Sequence, residues 1–231
     1  MGTRRGDRPI GFFITLEGLE GAGKTTQACH LKNWLSQQGC AYTITKDPGG
    51  TLVGDQVRNL LMKEGEGDLS WKTQVLLYAS ARAQLVDKVI VPNLLAGHVV
   101  VSDRYLDSNI AYQFYGEGKD PALGMKWLTW ASDGWVPHRT YLLDLTVEES
   151  RHRLQQRGQQ LDPMECREDA FYHRVRRGYH ELAEQSADRF CVIDATLPEK
   201  TISEMICGDC RRLLSWRGAL GGSDGTMFEI G

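Results

Sequence analysis

A glycine-rich segment near the start of the chain constrains the fold more than any other feature. It runs from Gly18 to Thr25 with the sequence Gly-Leu-Glu-Gly-Ala-Gly-Lys-Thr, which matches the P-loop pattern in full. An apolar run that predicts a strand precedes it, and a run that predicts a helix follows it. In such a loop the backbone N–H groups close around phosphate oxygens, and the helix N-terminus adds its positive dipole end. The segment therefore predicts a strand, a phosphate-binding loop and a helix in succession.

The last residues of this loop have expected roles in binding ATP. Lys24 should reach the β- and γ-phosphates, and the Thr25 hydroxyl should bind Mg²⁺. The complete pattern in this context disfavours a glycine-rich turn that binds nothing, and the chain has no Asn-Lys-x-Asp segment for guanine recognition. The spacing of the elements suits a small kinase better than a GTPase. The loop residues predicted to bind ATP are Gly18, Leu19, Glu20, Gly21, Ala22, Gly23, Lys24, Thr25 and Thr26.

Segments with strand character alternate with helical segments along the whole chain. The predicted strands are residues 11–17, 41–46, 98–102, 140–145 and 190–193. The predicted helices are residues 23–37, 52–62, 71–96, 108–114, 123–131, 148–156, 169–187 and 199–216, with a possible kink before Pro92. Such alternation predicts an α/β fold with a five-stranded parallel sheet and helices on both faces. Ligands then bind at the carboxyl ends of the strands.

Composition bounds the class of protein. The 231 residues are 41% hydrophobic and 25% charged, which suits one soluble domain, and the net charge of −3 argues against a nucleic-acid partner. No apolar run is as long as a bilayer span, and residues 1–10 lack the apolar core of a secretion signal. Those residues are expected to be a disordered leader and residues 217–231 a flexible tail, around one domain at 11–216. We expect a cytoplasmic protein without a membrane or nucleic-acid partner.

The helix predicted for residues 71–96 carries an arginine within an apolar stripe. Tyr78 and Arg82 share a face by helical spacing, and an arginine there is costly unless it has a partner. Two interpretations stay open from the helix alone. Arg82 either lines a pocket with Tyr78 for a planar polar ligand, or it pairs with a core acid or extends to solvent.

Polar residues follow the buried strand of consecutive valines, at the ligand edge of the sheet. Asp103 there is suited to metal-water or hydroxyl contacts, and Arg104 can grip a phosphate bidentately. Ser108, Tyr112 and Gln113 come next, and their clustering suggests recognition of a base edge, although Ser108 could instead cap a helix. Arg58 could reach an anionic ligand, but in isolation it is more typical of a surface charge.

Taken together, these segments carry a family resemblance. The chain resembles bacterial thymidylate kinases from about Phe13 to Leu214. The matching segments are residues 16–26, 47–51, 54–58, 78–82, 101–105, 107–113, 141–144 and 193–195. Each motif is modest alone, but the set in this order is specific because it covers both nucleotide sites.

The resemblance implies the nucleoside monophosphate kinase version of the P-loop NTPase fold, with a small lid at about residues 155–167. It also implies Mg²⁺-assisted transfer of phosphate from ATP to dTMP, giving dTDP, by a homodimer. Two alternatives stay open. One is a kinase for another nucleotide or nucleoside, such as dUMP, and the other is a P-loop protein that binds a nucleotide without transferring phosphate.

The resemblance also implies roles at the acceptor site. Arg82 would hydrogen-bond the thymine and Tyr78 would stack on it, while Tyr112 would crowd the sugar 2′ position. Contacts to the base or its flank would come from Ser108 and Gln113. The substrate-binding residues are thus expected to be Asp47, Pro48, Arg58, Tyr78, Arg82, Arg104, Ser108, Tyr112 and Gln113.

Further roles concern the phosphates, the metal and the adenine. Arg58 and Arg104 would hold the monophosphate, and Thr25, Glu20 and Asp103 would organise Mg²⁺. Asp194 and Ala195 would border the adenine.

The sequence departs from the family pattern in three places. Tyr78 stands where the family usually has phenylalanine, and its added hydroxyl needs a partner. Lys46-Asp47-Pro48 stands where the family usually has Arg-Glu-Pro, so the acid is one methylene shorter. In the lid, Asp162-Pro163 stands where an Asp-Arg pair is usual. We predict that Arg153 and Arg157 contact phosphates and that Arg167 substitutes for the missing arginine. The predicted catalytic residues are Lys24, Asp103, Arg104, Arg153, Arg157 and Arg167.

Overall fold

The computed structural model describes residues 11–63, 69–158 and 165–216. Within these residues five parallel strands form one sheet in the order β2-β3-β1-β4-β5. The strands are β1 (Phe12–Gly18), β2 (Tyr42–Lys46), β3 (Val99–Asp103), β4 (Arg139–Asp144) and β5 (Phe190–Asp194). The predicted α/β fold with a five-stranded parallel sheet is therefore confirmed.

Helices cover both faces of this sheet. They are α1 (Lys24–Gln37), α2 (Leu52–Lys63), α3 (Trp71–Leu85), α4 (Val91–Leu95), α5 (Leu106–Asn109), α6 (Pro121–Ala131), α7 (Val147–Arg157), α8 (Asp169–Gln185) and α9 (Glu199–Trp216). Two π-helical segments, Val86–Ile90 and Ile110–Gly116, continue α3 and α5 respectively. The predicted leader, the tail and the predicted lid residues 159–164 lie outside the described residues.

Among the helices whose boundaries differ from those that the sequence predicts, two differ for a clear local reason. The helix predicted for residues 71–96 contains a π-helical turn, and its last part, α4, has Pro92 within its first turn. Proline lacks the N–H that an α-helix uses, and a wider turn before it accommodates the ring without ending the helix. The helix predicted from residue 123 begins at Pro121, because Asp120 accepts a hydrogen bond from the Ala122 N–H and caps it.

Alternating residues of the central strand serve two hydrophobic cores. Phe12, Ile14 and Leu16 point to the face covered by α1 and α9, whereas Phe13 points to the face covered by α3, α8 and the π-helical segments. On the Phe13 face the strand ends with a buried carboxylate, Glu17. Among the described residues, no helix is both long enough and apolar enough to cross a bilayer.

The strand order sets the position of the site. Because β3 lies directly beside β1, Leu16 is in register with Asp103, and on the other side of β3 Lys46 of β2 is in register with the same residue. The carboxyl ends of β1, β2 and β3 therefore converge at one edge of the sheet, where parallel α/β sheets bind their ligands.

Candidate active site

The loop between β1 and α1 has the backbone geometry of a phosphate cradle. Gly18, Gly21 and Gly23 have φ angles of 138°, 75° and 88°, which residues with a side chain rarely adopt. At Gly18 an added Cβ would also lie 2.4 Å from the Leu143 carbonyl oxygen. The loop ends where α1 begins, so its last N–H groups point away from the helix N-terminus, toward any anion in the loop.

Lys24 lies folded over this loop. Its Nζ donates hydrogen bonds to the carbonyl oxygens of Gly18 at 3.0 Å and Leu19 at 2.7 Å. Burial lowers the pKa of Lys24 to about 8, with Arg104 contributing in the same direction, while the nearby carboxylates oppose the shift. An anionic phosphate in the loop would favour the charged ammonium.

Thr25 and Asp103, two predicted Mg²⁺ ligands, lie in contact. The Thr25 hydroxyl donates a hydrogen bond of 2.8 Å to Asp103 Oδ2. Hydroxyl and carboxylate oxygens suit Mg²⁺, which usually takes its remaining ligands from phosphates and water. The described part of the chain has no cluster of three or more His, Cys, Asp or Glu residues that could enclose a metal. The residues present therefore fit a nucleotide-bound Mg²⁺.

A single cleft of about 510 Å³ joins this loop to the predicted acceptor residues. The predicted residues that line it are Glu20, Gly21, Gly23, Lys24, Thr25, Thr26, Asp47, Pro48, Arg58, Tyr78, Arg82, Asp103, Arg104, Ser108, Tyr112, Gln113 and Arg157. Five residues without a predicted role also line it, namely Lys46, Met62, Tyr105, Asn109 and Glu165. The cleft is large enough for a drug-sized ligand.

Arg82 combines the two interpretations that the sequence leaves open. Its side chain lines the cleft, yet the residue is only 1% exposed. Its Nε donates to Asp47 Oδ2 at 2.6 Å, Nη1 to Asn109 Oδ1 at 3.0 Å and Nη2 to the Tyr105 carbonyl at 3.2 Å. Arg82 is thus a core ion pair and part of the cleft wall at once, and its guanidinium plane is fixed by three partners.

Asp47 is buried beside Arg82 and belongs to the cleft wall. Burial raises its pKa, although the charges of Arg82 and Arg58 oppose the shift. Its Oδ1 atom has no hydrogen-bond partner among the described residues. The peptide bond from Asp47 to Pro48 is cis, and Arg58 donates a 3.2 Å hydrogen bond to the Pro48 carbonyl.

Arg104 follows β3 with a left-handed backbone, φ 68°. Its Nη2 donates to Glu20 Oε1 at 2.6 Å and to the Tyr112 hydroxyl at 3.3 Å, and its guanidinium lies 4.9 Å from the Tyr112 ring centre. Burial alone would raise the pKa of Glu20, but the charges of Arg104 and Lys24 outweigh it and lower that pKa. Glu20 is therefore an anion placed between the loop and the acceptor side.

The predicted lid arginines lie in three different places. Arg157 lines the cleft and donates to both carboxylate oxygens of Glu165, at 2.9 and 2.8 Å. Arg153 bridges the P-loop to the end of β5, with hydrogen bonds to the carbonyls of Gly21 at 3.3 Å and Ala195 at 2.8 Å. Arg167 lies outside the cleft lining, where it pairs with Glu117 and lies 4.8 Å from the Phe171 ring centre.

The thymidylate kinase family model matches residues 16–206, most of the chain. The chain belongs to the thymidylate kinase family. A thymidylate kinase of Exiguobacterium sibiricum is 41% identical over 207 residues, which cover 90% of this chain and 97% of that protein. A thymidylate kinase of Cutibacterium acnes is 40% identical over 196 residues, 85% of this chain and 94% of that protein.

A solved structure agrees with this assignment. The crystal structure of thymidylate kinase from Ehrlichia chaffeensis has a TM-score of 0.68 to this chain at 31% sequence identity. The match covers 89% of this chain and 99% of that one. The resemblance stated from the motifs is confirmed, and so is the nucleoside monophosphate kinase fold. The individual roles predicted for the site residues of this thymidylate kinase family member remain predictions.

Asn109 in the cleft wall and Glu17 behind it are two polar residues for which the sequence predicts no role. Asn109 accepts a hydrogen bond from Arg82 and donates one of 2.6 Å to Gln113 Oε1. Its position four residues before Gln113 is a signal that could have identified it, since residues so spaced share a helix face. Glu17, buried beneath Ser108, carries no local signal because its partners are 88 to 162 positions away in the chain.

Proposed function

We propose that this chain transfers the γ-phosphoryl group of ATP to dTMP, which yields ADP and dTDP. The observation that carries the proposal is the shared cleft. One wall is a complete P-loop, and the opposite wall is built on the fixed Arg82 guanidinium with Asn109 and Gln113 beside it. In a member of the thymidylate kinase family, this arrangement allows two nucleotides to meet with their phosphates facing each other.

The phosphate end of the cleft supplies positive charge and positioning. The P-loop N–H groups and Lys24 hold the ATP phosphates, while Arg58 and Arg104 hold the acceptor monophosphate. Thr25 and Asp103 would hold Mg²⁺, which when bound neutralises charge on the phosphates. The acceptor oxygen of a monophosphate is already anionic. Transfer therefore needs no strong general base, and placement with charge neutralisation supplies most of the catalysis.

The base end of the cleft is suited to a pyrimidine with a carbonyl beside an N–H. Arg82 is held in one plane and can donate to a carbonyl, while the amide side chains of Asn109 and Gln113 offer both donors and acceptors. The Tyr78 ring in the cleft wall is available for stacking on the base. We infer that this wall selects thymine over cytosine. Cytosine has an exocyclic amine in place of a thymine carbonyl, and this amine would place a hydrogen-bond donor against the donors of Arg82.

The lid arginines divide by position. Arg157 lines the cleft and is the arginine best placed to neutralise charge during transfer. Arg153 lies between Gly21 and Ala195, so it supports the adenine side of the ATP site. Arg167 could act only after leaving its ion pair with Glu117.

We propose a homodimer that forms through the exposed face of α6. Leu123, Trp127 and Trp130 follow one another at helical spacing, and the two tryptophans are 55% and 79% exposed. Neighbouring α3 exposes Leu76. Large exposed apolar side chains grouped on adjoining helices are typical of an interaction surface. In sedimentation velocity we expect a dimer, and Trp127→Glu with Trp130→Glu should give a monomer. Leu95→Glu, which changes an exposed leucine of α4, is the control and should leave the dimer intact. A dimer that persists in the double tryptophan variant would exclude the α6 face.

A cytoplasmic location fits the free thiols. Cys29 and Cys166 are exposed thiols that form no disulfide. Free exposed thiols are characteristic of a reducing compartment.

The substrate assignment is tested by a coupled assay of ADP release with ATP and a panel of dTMP, dUMP, dCMP and thymidine. We expect the highest kcat/KM with dTMP and about 10- to 200-fold less with dUMP, which lacks one methyl group. A preference for dUMP or thymidine would make the chain a kinase for that acceptor. Absence of ADP release with every acceptor would leave nucleotide binding without transfer.

A further inference from the structure

A buried group of hydrogen-bonded side chains lies beneath Arg104. It comprises Glu17 at the end of β1, Ser108 in α5 and Tyr179 in α8, and no residue of it belongs to the P-loop. Glu17 is 0% exposed and Tyr179 is 1% exposed. A buried carboxylate and a buried phenol are costly unless their polar atoms are paired.

The carboxylate of Glu17 accepts hydrogen bonds from three donors. Its Oε1 accepts from the Tyr105 N–H at 2.8 Å, and its Oε2 accepts from the Tyr179 hydroxyl at 3.0 Å and from the Ser108 hydroxyl. Burial raises the pKa of Glu17 to about 7, Asp107 adds to the shift, and the hydrogen bonds and Arg104 oppose it. The neighbouring Asp107 is itself held by Arg189 through two bonds of 2.7 Å. Asp107 therefore does not compete for Arg104.

The same two hydroxyls also contact Arg104. Its Nη1 donates to Ser108 Oγ at 3.0 Å and to the Tyr179 hydroxyl at 3.3 Å. A hydroxyl has one proton and two lone pairs. The two hydroxyl oxygens also lie 2.8 Å apart, and either could donate to the other. When Glu17 receives the protons of both Ser108 and Tyr179, that contact holds no proton and the lone pairs of both hydroxyls are left facing the guanidinium. The carboxylate thus sets the polarity of both hydroxyls so that they accept from Arg104.

We propose that Glu17 and Tyr179 are positioning residues, which hold Arg104 in the orientation that grips the acceptor phosphate. This inference rests on the proposed function, in which Arg104 binds the dTMP phosphate. Glu20 and Tyr112 restrain Nη2, and the group beneath restrains Nη1, so the two ends of the guanidinium are fixed from different sides.

The first test is Tyr179→Phe, which removes one hydroxyl and keeps the ring. We expect the KM for dTMP to rise about three- to tenfold, with the KM for ATP unchanged, because a single hydrogen bond to a charged group is lost. Tyr115→Phe is the matched control. It removes the hydroxyl of another buried tyrosine, which lies in the π-helical segment packed against α8 and faces Glu181, and it should leave both KM values unchanged.

The second test places Tyr179→Phe in an Arg104→Ala background. If Tyr179 acts through Arg104, the double variant should have the same KM for dTMP as Arg104→Ala alone. Glu17→Gln replaces an acceptor with a donor and should raise the KM for dTMP at least as far as Tyr179→Phe. If Glu17→Gln fails to fold, the Tyr179→Phe cycle decides alone.

The outcomes separate this inference from the proposed function. An unchanged KM for dTMP in Tyr179→Phe, equal increases in both KM values, or full additivity with Arg104→Ala would overturn the positioning role while dTMP turnover by the unsubstituted chain stands. A chain that does not phosphorylate dTMP at all would overturn both.

Discussion

At the scale of single residues, local motifs and long-range contacts differ in how far sequence predicts them. The predicted P-loop roles of Lys24 and Thr25 follow from adjacent residues, and the structure places both side chains in one cleft with Asp103. The pairing of Arg82 with Asp47 joins residues 35 positions apart, and a helical pattern alone leaves the partner of Arg82 undetermined. Glu17 has no periodic or motif signal of its own, because its role comes from tertiary contacts.

Arg82 offers the sharpest prediction at this scale. Arg82→Lys keeps the charge but cannot reproduce the three directed hydrogen bonds to Asp47, Asn109 and Tyr105. We expect kcat/KM for dTMP to fall at least about 100-fold, as expected when buried polar groups lose their partners, with the KM for ATP nearly unchanged. Steady-state kinetics with each substrate varied in turn measures both values.

The control for this variant is Arg177→Lys, which changes an exposed arginine on α8. It should leave both kinetic parameters as they are. Loss of ATP affinity in Arg82→Lys with normal use of dTMP would mean that Arg82 belongs to the donor site.

At the scale of helices and strands, the alternating pattern predicts every strand to within two residues. The π-helical segments are harder to predict from hydrophobic period. The widened turn at Val86–Ile90 directly precedes the helix that contains Pro92, and the one at Ile110–Gly116 packs against α8. The second of these segments carries Tyr112 and Gln113, and α5 before it carries Asn109, so a straight α-helix drawn from the sequence would misplace these side chains relative to one another.

Arg157 and Arg167, near the two ends of the predicted lid, give a prediction about transfer. Arg157 lines the cleft, whereas Arg167 pairs with Glu117 outside it. We expect Arg157→Ala to lower kcat about tenfold or more, with smaller effects on either KM, because charge on the transferring group is left without a partner. Pre-steady-state and steady-state rates would measure this.

Arg167→Ala is the matched comparison. It should change kcat by less than about threefold if the contact with Glu117 persists during turnover. A large loss of kcat in Arg167→Ala with little effect in Arg157→Ala would contradict this. It would mean that Arg167 acts in the cleft as the substitute for the arginine missing from the lid.

At the scale of the whole molecule, the order of the strands determines which residues meet at the cleft. The sequence predicts five parallel strands but does not give their order, because register and neighbours depend on contacts far apart in the chain. The order β2-β3-β1-β4-β5 places Asp103 beside the P-loop and Lys46 beside Asp103, so the donor and acceptor groups share one sheet edge. That topology brings separate short motifs into one cleft, with the P-loop on one wall and Arg82 on the other.

The central claim is that phosphate passes between two nucleotides within this cleft. The most direct measurement incubates the chain with ATP labelled in the γ-phosphate and with dTMP, and then separates all products by chromatography. We predict labelled dTDP and an equal amount of unlabelled ADP. Lys24→Ala should remain folded and form neither product. Labelled inorganic phosphate in place of dTDP, or undiminished dTDP formation by Lys24→Ala, would contradict the account.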